Sequence, residues 1–224
     1  MKNFLFSLLL LSNTLFCHTQ TSYPDIVIET SLGNLTLELY HETPLHSENF
    51  LKLVNEGYYN GQLFHRVIKN FMIQAGSADS KNAQPGTILG SGGKPYTIPA
   101  EFIPQYFHKK GALAAARQGD NVNPRKESSG SQFYIIQGKK FTDAELNAFE
   151  QRGMHIPFTP EQRELYKTIG GSPHLDYSYT VFGEVIEGLN VIDIIASQPT
   201  DENDRPVSDV KIIKMYAVKK KQND

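Results

Sequence analysis

Apolar and polar positions alternate at period two through much of this chain. Leu35, Leu37 and Leu39 alternate with Thr36, Glu38 and Tyr40, and an apolar run at 26–30 precedes them across Ser31-Leu32-Gly33-Asn34. Period two places one set of side chains on each face of a strand, so this region is predicted to be an antiparallel hairpin. Thr43-Pro44 opens a helix, with Thr as N-cap and Pro in the first turn; Phe50, Leu53 and Val54 mark its buried face and Gly57 ends it. Two short apolar segments, 64–68 and 71–76, are broken at Lys69-Asn70. They predict paired strands that bring Phe64, Arg66, Phe71 and Gln74 onto one surface, a cation and an amide among large hydrophobes. Farther on, 179–185 reads as a strand and 188–196 as a short helix showing Leu189, Ile192 and Ile195 on one side. The closing strand, 207–218, slips its alternation between Ile212 and Ile213, which predicts a bulge.

Other stretches break the pattern. Residues 77–99 carry Gly86, Gly90, Gly92, Gly93, Pro85 and Pro95 and read as a long irregular loop; 119–130 is a second, polar loop and 199–206 an acidic one. Thr142-Asp143-Ala144-Glu145 and Thr159-Pro160-Glu161-Gln162 are capping boxes, followed by Leu146 and Phe149 and by Leu165 and Ile169, with Gly153 and Gly170 as stops. Residues 140–172 therefore form a helical insertion, expected to bury its own apolar stripe on the rest of the domain rather than to act as a lid or docking arm. Strands outnumber helices, which favours an antiparallel barrel over a parallel sheet.

Composition changes this picture little. Of 224 residues, 39% are hydrophobic and 21% charged, as in ordinary folded domains, and a formal charge of −2 gives no electrostatic footprint for nucleic acid. Lys219-Lys220-Lys221 belongs to a basic, solvated tail at 219–224. The apolar run 4–16 behind Lys2 is too short to span a bilayer and has the proportions of a signal peptide, assigned to 1–19. An exported protein follows, periplasmic or secreted, with no transmembrane segment once mature. Cys17, the single cysteine, offers a lipoprotein anchor as the second choice, because Phe16 before it is large. The domain at 25–218 then holds no cysteine, which excludes disulfides and thiol chemistry. Seven histidines show no metal spacing, Gly90-Ser91-Gly92 lacks a third glycine because Pro95 stands there, and Gly130-Ser131 is no nucleophile elbow. No metal and no cofactor are expected.

The stretches Phe64-His65-Arg66-Val67-Ile68, Phe71-Met72-Ile73-Gln74-Ala75-Gly76, Ser131-Gln132-Phe133 and Val181-Phe182-Gly183-Glu184-Val185, in this order, resemble the cyclophilin family of peptidyl-prolyl cis/trans isomerases. The resemblance covers roughly residues 25–218, interrupted by the insertion. It implies a mostly β fold, a closed antiparallel eight-stranded barrel with a helix over each end and, here, the inserted helical hairpin. It also implies a monomer acting on proline-containing polypeptides. Carried over residue by residue, the catalytic role falls to Arg66. Substrate contacts fall to His65, Phe71, Met72, Gln74, Ala116, Arg117, Gln132, Tyr134, Leu175 and Tyr179. This chain departs from the family in carrying Tyr134 and Tyr179 where well-known members have Phe and His, His174 where many have Trp, and Arg117 where many have a small amide.

The chemistry suits these residues. Rotation about an X-Pro bond must break amide resonance, a barrier of ~18–20 kcal/mol, and needs no nucleophile, only a site that prefers the twisted amide. Arg66 stays protonated and offers fixed donors to a proline nitrogen that regains its lone pair; Gln74 and Gln132 would orient it and the peptide. Phe71, Met72, Leu175 and the Tyr134 ring would form the apolar cup, where the Tyr134 hydroxyl needs a partner or an outlet to water. The rival function is a noncatalytic module that binds proline segments.

Overall fold

The computed structural model describes residues 22–153 and 157–220. The expected signal peptide at 1–19, Cys17 and the end of the basic tail lie outside the described residues. Strands β1 (Asp25–Thr30) and β2 (Gly33–Leu39) form the expected hairpin, turned at Ser31-Leu32. Helix α1 spans Pro44–Asn55 and buries Phe50, Leu53 and Val54. Its capping differs from expectation, because the Thr43 side chain makes no capping hydrogen bond. The Glu101 carboxylate instead accepts from the backbone N–H of Leu45 and of His46, each at 3.1 Å. A carboxylate at this end satisfies orphan donors and meets the positive end of the helix dipole.

Then follow β3 (Arg66–Ile68), β4 (Met72–Ala75), β5 (Thr97–Ile98), β6 (Ala112–Ala115), β7 (Ser128–Ser129) and β8 (Phe133–Ile136). The insertion supplies α2 (Asp143–Gln151) and α3 (Pro160–Thr168), after which come β9 (Val181–Glu187), α4 (Leu189–Ala196) and β10 (Ile212–Val218). Eight strands form one antiparallel sheet in the order β10-β1-β2-β9-β6-β8-β4-β3, while β5 and β7 pair separately. The fold is thus mostly β, but the sheet is curled and open rather than the fully closed barrel expected. Its edge strand β3 has only three residues. The chain leading into it meets the start of β10 through three bonds, Phe64 N–H to Val210 O at 2.9 Å, Ile212 N–H to Gln62 O at 2.8 Å and Gly61 N–H to Ile212 O at 2.8 Å, around an isolated bridge of Leu63 with Lys211, not through a continuous ladder.

Alternation sorts the strand residues. Ile26, Ile28, Leu35, Leu37, Val67, Ile73, Leu113, Phe133 and Ile135 share the inner core with the apolar faces of α1 and α4, and Phe50 meets Phe133 edge-on at 5.3 Å. In α4 the buried residues are Val191, Ile192, Ile195 and Ala196, whereas Leu189 is exposed. Phe64 also lies in this core, not on the Arg66 surface, because it precedes β3 and the strand alternation has not begun there. The predicted bulge is present: Glu29 pairs with Lys214 and Thr30 with Ile212, which leaves Ile213 unpaired and exposed.

Both capping boxes of the insertion form, Thr142 with Glu145 and Thr159 with Gln162. The stripe of α3 is shifted from the expected one, since Tyr166 is buried and Ile169 exposed. Gln162 and Tyr166, one turn apart, make its inward face. Leu146, Phe158 and Tyr166 then build a small core with Phe141 and Phe107, separate from that of the sheet.

Candidate active site

The outward residues of the same strands form a row. Arg66 on β3 pairs with Gln74 on β4, Gln74 with Tyr134 on β8, and Tyr134 with Ala114 on β6. Partners directly opposite in neighbouring strands stand side by side on one face, so a cation, an amide, an aromatic ring and a small residue adjoin. A small residue at Ala114 and at Ala116 leaves depth beside the ring. The result is a cavity of about 310 Å³ walled by His65, Arg66, Phe71, Met72, Gln74, Ala116, Arg117, Tyr134, Leu175 and Tyr179, together with Thr87, Leu89, Gly90, Asn203 and Arg205 from two loops. Every residue expected at the site lines this cavity except Gln132.

Gln132 faces the adjoining groove. Its Oε1 accepts from Gln74 Nε2 at 3.0 Å, and its own Nε2 donates to the carbonyls of Gly90 at 2.9 Å and Gly92 at 3.0 Å. The amide is therefore occupied in holding a loop, and Gln74 is held by it. That loop is wound on Asp79, whose carboxylate accepts from the N–H of Ser91 at 3.0 Å and of Gly92 at 2.9 Å and from the Ser77 hydroxyl at 2.6 Å. Burial works against the Asp79 charge, but these donors outweigh it and hold the carboxyl below its usual range. Gly76, which ends β4, has φ +94° and a position where a Cβ would stand 2.2 Å from Ser131 O, so only glycine lets the loop leave the strand there.

Arg66 is oriented by Asp204, not by Gln74 as expected. Its Nε lies 3.2 Å from Asp204 Oδ2, both side chains being about two-fifths exposed. Asp204 is itself fixed at β3, where its carbonyl accepts from Val67 N–H at 2.8 Å. Among the described residues only Nε of Arg66 is engaged, which leaves the terminal nitrogens to face the cavity. The sequence showed an acidic loop at 199–206 but not this partnership, which spans 138 positions.

The Tyr134 hydroxyl does find a partner. It lies 3.0 Å from His108 Nε2; His108 Nδ1 lies 2.8 Å from Asp176 Oδ1, and Asp176 Oδ2 accepts from the Tyr166 hydroxyl at 2.6 Å. A carboxylate accepts, so Nδ1 carries a proton toward Asp176, while Nε2 and the Tyr134 hydroxyl share the next bond of the chain. All four residues are buried, and burial, helped by Tyr179 and Asp176, pushes the Tyr134 hydroxyl well above its ordinary pKa. The ring is thus held as a neutral wall of the cup with its polar end turned away from the cavity. Arg117 is similarly committed: it stacks at 4.4 Å on Tyr179 and donates to the Ser178 carbonyl at 2.7 Å and to Asp120. Its cation fixes the far wall. His65 is a buried part of the cavity wall, with its pKa pushed down to about 4 by burial against the opposing pull of Asp79, so its ring is uncharged at neutral pH. His174 stands on the rim, 5.4 Å from the Phe71 ring.

Phe71, Met72, Leu175 and the Tyr134 ring thus stand together beside the Arg66 guanidinium. The family profile for cyclophilin type peptidyl-prolyl cis-trans isomerase/CLD matches residues 25–217. The chain belongs to the cyclophilin family. Two similar proteins are a candidate peptidyl-prolyl cis-trans isomerase of Staphylococcus epidermidis, 36% identical over 188 residues (84% of this chain and 88% of that protein), and a candidate bifunctional phosphatase/peptidyl-prolyl cis-trans isomerase of Streptococcus pyogenes, 36% identical over 192 residues. This cyclophilin covers 84% of itself but only 37% of the streptococcal protein in that match. In three dimensions it is similar to a cyclophilin type isomerase of Cryptosporidium parvum, with a TM-score of 0.64 over 89% of this chain and 99% of that one, at 24% identity.

Among the described residues no group of three or more potential metal ligands occurs, and no helix is long and apolar enough to cross a membrane.

Proposed function

We propose that this cyclophilin accelerates cis/trans isomerisation of X-Pro bonds in exported polypeptides and so assists their folding, with Arg66 as the catalytic group. The observation that carries the reading is the Arg66 guanidinium, tethered through Nε by Asp204, at the mouth of a cup formed by Phe71, Met72, Leu175 and Tyr134. A proline ring seated there leaves water, and Arg66 then acts in a medium of low dielectric. In the planar amide the proline nitrogen is a poor acceptor; as the bond twists, its lone pair returns and a terminal N–H of Arg66 can donate to it. That contact is made only in the transition state, so it raises kcat rather than ground-state affinity. Favouring the twisted amide by ~7 kcal/mol would give roughly a 10⁵-fold acceleration. A Cryptosporidium parvum cyclophilin type isomerase of the same fold was solved in the presence of the dipeptide Ala-Pro.

Export rests on the apolar run at 4–16. Two experiments test the whole reading. Mass spectrometry of the mature protein should find a start near Gln20, or an acylated Cys17; intact Met1 in the cytoplasm of the producing cell would reject export. Refolding of a secreted protein with a proline-limited phase should be accelerated by wild type and not by Arg66→Ala. Equal acceleration by both would leave a proline-binding module instead of an isomerase.

A further inference from the structure

A second cavity, of about 510 Å³, lies between the insertion and the proline cup. Phe71 and His174 form its floor toward the cup, and Phe141, Ala148, Phe149 and Arg152 form the facing wall. Phe71 is a wall of both cavities, so the two adjoin on either side of one ring. The far wall is built rather than loosely draped: a capping box starts α2, Leu146 anchors it in the small core, and Phe141 packs on Phe149 at 5.7 Å. At the rim Lys139 is paired with Glu145 at 3.0 Å, while Arg152 is exposed and has no ion-pair partner among the described residues.

Given the proline cup of the preceding section, we propose that this cavity is a second substrate subsite, created by the insertion, that receives a large aromatic side chain of the client polypeptide within three residues of the proline. The wall shared with the cup at Phe71 argues for the same chain as occupant. An extended peptide advances about 3.3 Å per residue, so a chain leaving the cup over Phe71 brings its next side chains across the insertion. Phe71, Phe141, Phe149 and His174 give the lining an aromatic share, and Arg152 at the rim has no ion-pair partner among the described residues, so a neighbouring acidic residue in the client adds to the fit. The insertion then acts as a selector of sequence around the proline.

The test uses the full mature protein and a parent peptide with one Ala-Pro bond flanked by glycines, into which phenylalanine is placed in turn at each of three positions on either side. Affinity is read by calorimetry and the location of binding by backbone resonances. One position should tighten binding about tenfold over the parent, shift the resonances of Ala148 and Phe149, and lose its gain in Ala148→Trp, which fills the cavity. No gain at any position, a gain that survives in folded Ala148→Trp, or unmoved Ala148 and Phe149 resonances in wild type would each overturn the proposal. The last reading needs no variant. Replacing the proline by alanine in the best peptide separates the two claims: retained affinity would refute the proline cup and leave the second subsite standing.

Discussion

At the residue scale the site depends on two tethers that sequence order hides. Arg66 itself was legible from its place in the Phe64 to Ile68 motif; Asp204 was not, because sequence proximity carries no information about a partner across the curled sheet. Asp204→Ala should leave the cup intact but release the guanidinium. The expected outcome is a severalfold fall in kcat with KM little changed, read from initial rates on a single X-Pro peptide, because orientation matters most in the transition state. Tyr134 gives the converse case. That its hydroxyl needed a partner was evident from its apolar setting; that His108 supplies it could be known only once β8 lay beside the 107–111 segment. Tyr134→Phe keeps the ring and leaves the buried His108 Nε2 without its hydroxyl partner. Unfolding in urea should show a loss of about 1–3 kcal/mol while peptide affinity is nearly retained. A large loss of affinity with unchanged stability would mean that the hydroxyl faces the substrate.

At the element scale the sequence was most informative where a local rule acts alone. Capping boxes need only four adjacent residues, and both were read correctly; the bulge at Ile213 followed from a break in period two. Failures occur where tertiary partners override the rule. Thr43 is displaced as a helix cap by Glu101, which lies far along the chain, and the α3 stripe rotates to Tyr166 because Asp176 offers its hydroxyl a buried acceptor. Thr142→Ala should therefore cost about 1 kcal/mol and loosen α2 selectively, seen as faster amide exchange from 143 to 151 with the sheet unaffected. Uniform loosening of sheet and insertion would contradict the separate small core described here.

At the scale of the whole molecule, period two told which strands exist and which side chains share a face, but not whether the sheet closes. That depends on how far β3 and the approach to β10 stay in register, which three strand residues cannot announce. Stability against acid is also a property of the whole. His65 takes up a proton near 6.5 when unfolded and near 4 when folded, so between these pH values the unfolded state holds more protons. Its contribution is complete above pH 6.5 and falls as pH drops toward 4, by at most about 1.4 kcal/mol per pH unit. Asp79 and Glu101, both held below their usual range, weaken the fold in the same direction as they are protonated at lower pH. Equilibrium unfolding across pH 4 to 7 should show this acid limb, and His65→Phe, if folded, should flatten its upper part; an identical slope in both proteins would remove His65 as its source.

The central claim is that Arg66 acts on the twisted amide, and exchange spectroscopy on one X-Pro peptide tests it directly with wild type, Arg66→Ala, Arg66→Lys and Phe71→Ala. Removing Arg66 should lower kcat/KM by roughly 10²–10³-fold, almost wholly through kcat. Lysine should rescue poorly, since an ammonium cannot hold Asp204 and the imide nitrogen with one planar fork. Phe71→Ala should weaken binding as well, because it opens the cup. Isomerisation by Arg66→Ala at the wild-type rate would contradict the account.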